Sequence, residues 1–253
     1  MPPVLHNPVV LLHGCGGSMQ ATFAETGWID AITASGRAAV ALHLPGHGVT
    51  ARMNAPQAEA ATGVSPTSLA AHDPSTYSDL AGTLTSNLPS GSFDVVGFSL
   101  GAKIALELAV RFPGRIGRMV LGGIGDNVFA PERIAEAAAR ALESSPSAET
   151  PPPVLDFLRV WEPHRNDALA VAAVLRRPPN PVFTPDRLRG VTSPVLIVNG
   201  GADPVGRMAE TLLRSLPNVT SMTLPDVGHF DLPQQAAFRR HALEFLQAQG
   251  AAS

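Results

Sequence analysis

Apolar residues in this 253-residue chain fall into short unbroken runs that alternate with longer stretches in which they recur every third or fourth position. The runs at 8–12 (PVVLL), 38–44 (AAVALHL), 93–97 (FDVVG), 118–123 (RMVLGG), 194–200 (PVLIVNG) and 219–224 (VTSMTL) read as strands, several continuous enough to be buried on both faces. Helical patterns are expected over 21–34, 75–88, 100–112, 206–216 and 233–247. In the third, Leu100, Ile104 and Leu108 recur every fourth residue, as a helix packed on a sheet requires. This alternation predicts an α/β fold, a mostly parallel central sheet with helices on both faces, whose ligands sit beyond the carboxyl ends of the strands. Two segments break the alternation. Residues 46–74 form a polar, alanine-rich connection, and 126–190 carry helical patterns of their own near 131–142, 154–161 and 166–176. The proline clusters SPSAETPPP and RRPPNP keep the second segment from being one long helix. A core domain of 1–125 and 191–253 with a helical cap inserted at 126–190 is the expected organisation.

One junction stands out. In DVVGFSLGAKIALELA a strand passes into a helix through Gly-Phe-Ser-Leu-Gly with no loop between them. So sharp a bend strains the backbone and throws the side chain at its apex outward, and the flanking Gly97 and Gly101 remove Cβ atoms that would collide there. Ser99 is thereby exposed at a helix N-terminus. A serine hydroxyl is a poor nucleophile and needs a base, a group to orient the base, and donors for an oxyanion. The loops after the later strands offer these in order: Asp203 in GADPV and His229 in PDVGHFD. Asp126, in LGGIGDN after the fourth strand, is a second candidate for the acid. The turn LLHGCGGS after the first strand offers an oxyanion amide at Cys15, or at its neighbour Gly16, and Leu100 follows the serine with another. A histidine that must be neutral to act as base implies activity that falls at acidic pH.

The motifs LLHGCGGS, LPGHG, GFSLGAKIALELA, RFPGRIGRMVLGG, PVLIVNGGADPV and DVGHF together resemble the α/β-hydrolase superfamily along almost the whole chain. The resemblance implies a Ser99–His229–Asp203 serine esterase, carboxylesterase-like, that needs no metal or organic cofactor. Serine at the elbow argues against the dehalogenases and epoxide hydrolases of that superfamily, which carry aspartate there. Thioesters, enol-lactones and carbon–carbon bonds of meta-cleavage products remain open as substrates, as does a non-catalytic small-molecule receptor on the same scaffold. A carboxylate-bearing substrate would need a clamp, for which Arg52, Arg159, Arg165 and Arg176 are candidates. Phe129, Phe157 and Trp161 are candidates to line the pocket, with His13 at its border. His13 and His47 otherwise read as parts of glycine turns, and Lys103 as a surface partner of Glu107 one turn on. Two departures from relatives are visible. Few residues precede the first strand, where many relatives have an antiparallel hairpin, and His43 stands before LPGHG where aspartate is common, followed by a longer loop.

Composition narrows the picture. A 45% hydrophobic, 15% charged chain of this length builds one substantial core. The formal net charge is −3, with arginines scattered and Lys103 the sole lysine, so no nucleic-acid footprint or polybasic membrane patch is expected. The lone Cys15 excludes an internal disulfide and fits a reducing compartment. No signal-like or membrane-spanning run is evident, so a cytoplasmic monomer or homodimer acting on a small molecule is the expectation.

Overall fold

The computed structural model describes residues 6–48, 72–130, 134–162, 165–179, 182–206 and 208–248. Six strands, β1 (Val9–Leu12), β2 (Ala39–Leu42), β3 (Phe93–Phe98), β4 (Ile116–Gly122), β5 (Val195–Gly200) and β6 (Val219–Leu224), pair in the order β2-β1-β3-β4-β5-β6. Every neighbouring pair is parallel. The order reverses between β1 and β3: the chain runs outward from β1 to β2, then returns to the other side of β1. The loops leaving β1 and β3 therefore diverge and open a crevice at their carboxyl ends.

Strand side chains alternate between two cores, as period-2 geometry demands. On one face Val10, Leu12, Val95, Met119, Leu121 and Ile197 pack with α2 (Leu80–Leu84) and α3 (Leu100–Arg111). On the other, Val9, Leu11, Val96, Val120 and Val198 meet Trp28 and Ile32 of α1 (Trp28–Ala34) and Phe238 and Ala242 of α9 (Ala236–Gln247). Between β4 and β5 lie α4 (Ala135–Glu143), α5 (Pro152–Val160), α6 (Ala168–Leu175) and α7 (Pro185–Leu188); α8 (Glu210–Ser215) follows β5. The first three of these inserted helices share a smaller cluster around Ala138, Val154, Phe157 and Val171. Helix α6, apolar on all sides, joins the two: Ala173 and Val174 belong to the main core, and Val171 and Leu175 to the insert.

Two expectations change. The pattern over 21–34 yields a π-turn at Gln20–Ala24 and then α1, because Gly27 takes φ 78° between them. Lys103 and Glu107 are buried, at 6% and 5% exposure, rather than on the surface. The Glu107 carboxylate accepts from Arg111 Nε at 2.7 Å and Arg187 Nη2 at 3.0 Å, while Lys103 Nζ lies 3.4 Å from the Asn127 carbonyl oxygen. The segment 182–188 meets Glu107 through Arg187, and the segment after β4 meets Lys103 through the Asn127 carbonyl, so both side chains have neighbours from outside α3. The long loop after Gly48, with Arg52, lies outside the described residues. No helix among the described residues is long and apolar enough to cross a membrane.

Candidate active site

Ser99 sits where β3 becomes α3, at φ 52° and ψ −113°. A side chain in this left-handed region is strained, and the neighbours hold it there. Ser99 N donates to the Gly122 carbonyl at 2.8 Å. The bend is possible only because its flanks lack side chains: a Cβ on Gly97 would come within 2.7 Å of Ala102 Cα, and one on Gly101 within 2.1 Å of the Leu12 carbonyl oxygen.

His229 follows β6 and reaches back to the serine. Its Nε2 lies 3.1 Å from Ser99 Oγ, and its Nδ1 lies 2.8 Å from Asp203 Oδ2. A carboxylate can only accept, so Nδ1 carries the proton and Nε2 is left to accept from the Ser99 hydroxyl. The ring is 7% exposed, stacks at a tilt on Phe98 with centroids 5.0 Å apart, and meets Phe230 edge-on at 4.9 Å. Gly123 makes room for it, since a Cβ there would lie 2.9 Å from His229 Cε1. Asp203 is fully buried after β5. Burial opposes its charge, but the hydrogen bond and electrostatic pull of the His229 ring N–H and the amides of Val205 and Gly206 outweigh that cost, and the carboxyl is held below its usual range. Asp126, the other candidate acid, faces elsewhere: its two oxygens accept from the amides of Thr211 and Leu212 at the start of α8.

The turn after β1 approaches Ser99 from the other side of the crevice. A Cβ on Gly14 would lie 3.4 Å from Ser99 Cβ, and Gly17 N closes the turn onto the Gly14 carbonyl at 3.2 Å. Cys15 is half-buried within it, and Gly16 takes φ 76°. Leu100, the first residue of α3, has an amide that no intrahelical carbonyl can reach.

Two histidines frame this turn. His13 Nδ1 bonds the Gly14 carbonyl at 2.8 Å while its Nε2 accepts from Leu44 N at 3.1 Å. His47 Nδ1 bonds the Pro45 carbonyl at 3.0 Å while its Nε2 accepts from Gly16 N at 2.8 Å. Both rings are therefore neutral tautomers with Nδ1 protonated. Burial, with lesser contributions from neighbouring rings and charges, lowers His47 to about 4 and His13 well below its ordinary value. His43, buried near Arg165, is lowered to about 4 as well.

The residues expected to line a pocket divide. Phe157 lies over Gly16 and shares the insert's apolar cluster with Cys15 and Phe230. Trp161 ends α5, and its indole N–H is buried without an acceptor among the described residues. Phe129 packs instead on the main core. His13 is fully buried with both nitrogens bound to backbone, so it frames the turn and offers a ligand no polar atom. Of the arginines considered as a clamp, Arg159 pairs with Asp156 at the surface, Arg165 with Glu25, and Arg176 with Glu136 and Glu143. Residues not flagged from the sequence are Phe230, Gly123 and Asn166. Phe230 could have been found as the neighbour of His229, whereas a lone asparagine before a helix carries no such signal.

The sequence matches the model of a family described as "Alpha/beta hydrolase family" over residues 9–242. No curated protein matches it at a significant level. Among solved structures, NosK from Streptomyces actuosus is 22% identical with a TM-score of 0.61, the match covering 95% of this chain and 97% of that one. Carboxylesterase CesB from Bacillus subtilis is 18% identical with a TM-score of 0.60, covering 98% and 86%. The meta-cleavage product hydrolase CumD from Pseudomonas fluorescens IP01 is 19% identical with a TM-score of 0.62, covering 94% and 90%. At these identities the likeness is one of fold.

Proposed function

The chain belongs to the α/β hydrolase family, and from that premise we propose that it is a serine hydrolase that cleaves a carboxylic ester of a small molecule through an acyl-enzyme. The observation that carries this reading is the continuous hydrogen-bonded line from Asp203 through His229 to Ser99 Oγ, beside a turn whose Gly14 packs against the serine. In the first half-reaction Ser99 Oγ attacks the ester carbonyl as His229 Nε2 takes its proton, and Asp203 steadies the imidazolium. The amides of Cys15 and Leu100 receive the oxyanion, aided by the N-terminal field of α3. His229 then gives the proton to the departing alkoxide. In the second half-reaction the same nitrogen takes a proton from water, which attacks the acyl carbon; collapse of the intermediate returns that proton to Ser99 and releases the acid.

The aromatic rings of Phe157 and Phe230, with centroids 6.5 Å apart near Cys15, support an apolar substrate group on this side of the site. In this reading the helices of 126–190 act as the cap that shapes it. A carboxylate clamp, as a meta-cleavage substrate would need, draws no support from Arg159, Arg165 or Arg176, each already engaged with acidic partners. The test is turnover of p-nitrophenyl esters from acetate to palmitate by wild type and Ser99→Ala. Loss of about 10⁴-fold or more in the variant is expected. Equal rates in the two proteins would overturn the reading.

A further inference from the structure

Besides His13 and His47, a side chain from the inserted segment reaches the turn that would hold the oxyanion. Asn166, 2% exposed, precedes the N-cap of α6. Its Nδ2 donates to the Gly16 carbonyl at 2.8 Å and the Gly17 carbonyl at 3.1 Å, and its Oδ1 accepts from Gly48 N at 2.9 Å. The opposite side of the same turn is held by His47, which accepts from Gly16 N. The Gly16 residue, in the left-handed conformation that lets the chain reverse, is thus gripped at both its N–H and its carbonyl by side chains from two other segments. An asparagine amide satisfies this arrangement because it offers donors to two carbonyls and an acceptor to a third group from one planar head.

We propose that Asn166 is a positioning residue that couples the inserted helices to the oxyanion turn, so that the Cys15 amide is aimed only while the insert is seated. The inference rests on the proposed ester hydrolysis for its catalytic meaning and on the three hydrogen bonds for its mechanical one. Oxyanion donors act by being fixed before charge develops, and a displacement of about 1 Å can cost on the order of a hundredfold in rate. Loss of the Asn166 amide frees the Gly17 carbonyl and leaves the Gly16 carbonyl only the longer bond from Glu162 N at 3.3 Å, which should lower kcat while leaving the apolar contacts that set KM.

The experiment compares Asn166→Ala with Asp167→Ala. Asp167 caps the same helix through the amides of Leu169 and Ala170, and its other oxygen faces His72 Nε2 at 3.2 Å, so its removal loosens the helix end and frees His72 while leaving the Asn166 bonds to the turn in place. With p-nitrophenyl butyrate, Asn166→Ala is expected to lose about ten- to a hundredfold in kcat with KM within about twofold, and Asp167→Ala to keep kcat within about twofold. Hydrogen–deuterium exchange of the peptide spanning 12–20 is read on the same proteins, with faster exchange expected in Asn166→Ala only. Equal kcat losses in the two variants, or unchanged exchange in Asn166→Ala, would overturn the coupling. Should Asn166→Ala fail to fold, Asn166→Asp keeps the acceptor for Gly48 and sets an oxygen against the two carbonyls; the same losses are expected of it, and wild-type kcat and exchange in it would overturn the coupling. If wild type turns over no ester, exchange alone decides the coupling, while the failure belongs to the ester reading.

Discussion

Ser99 keeps a φ of 52° only because everything around it is shaped to the bend, and the least replaceable part of that shape is Gly101. Helix α3 starts against the end of β1, so a methyl at Gly101 would enter the Leu12 and His13 carbonyls at 2.1 and 2.6 Å. Backbone cannot yield as a flexible side chain can. Gly101→Ala is therefore expected to destabilise the fold by about 3 kcal/mol, measured by urea denaturation; a loss below about 0.5 kcal/mol would mean the helix start shifts freely. The same scale marks what can be read from a sequence. Ser99, Asp203 and His229 are legible because each follows an apolar run, and position after a strand confines a side chain to one edge of the sheet. Between Asp203 and Asp126 the sequence favours Asp203 through the order of the motifs, but strand position alone does not separate them, because both follow strands; the choice lies in where His229 arrives, which is tertiary. Asn166 is illegible for the same reason: its partners, Gly16, Gly17 and Gly48, lie far from it along the chain.

At the scale of elements, all six strands lie where unbroken apolar runs place them, with ends differing by a residue or two. Helices are less faithful. The apolar spacing of Phe23, Trp28 and Ile32 continues across Gly27, but the glycine's left-handed backbone breaks the hydrogen-bond ladder that the spacing suggests. The turn after β1 depends on a different device, two imidazoles used as neutral acceptors for backbone N–H groups. A proton on either Nε2 would face a donor, so the folded state refuses protons that the unfolded chain binds below pH 6.5. Stability is accordingly complete above that value and falls as pH drops toward 4. For His47, a change from 6.5 to about 4 corresponds to about 3 kcal/mol. Urea midpoints measured at pH 7 and pH 4.5 are expected to fall clearly, and His47→Gln, lower at pH 7, to lose less between the two. A midpoint constant over that range would mean these rings do not remain neutral in the folded state.

For the whole molecule, function and cohesion sit at opposite ends of the sheet. The candidate site occupies the carboxyl ends of β1, β3, β5 and β6, while Arg37, 5% exposed, gathers the other end. Its guanidinium donates to the carbonyls of Asn7 and Leu246 and pairs with Asp94, tying the entry to β1, the last helix and β3 together. Arg37→Ala leaves Asp94 buried without that partner and is expected to cost about 3–5 kcal/mol in denaturation, with kcat/KM of the folded protein unchanged. A parallel loss of kcat/KM would show that the two ends are not independent. The strand order has a consequence in time as well. Val9 pairs with Ala39 on one side and with Asp94 on the other, so an emerging chain can join β1 to β2 early but must lengthen much further before β3 covers the remaining side. Ser99 then waits for a histidine 130 residues on, and Trp28 for a carbonyl 205 residues on, at Pro233. Both arrivals need the same stretch of chain. Under the proposed ester hydrolysis, a chain still being made, its sheet nearly complete, carries a serine without its base, and the pair is assembled only when the final turn is delivered.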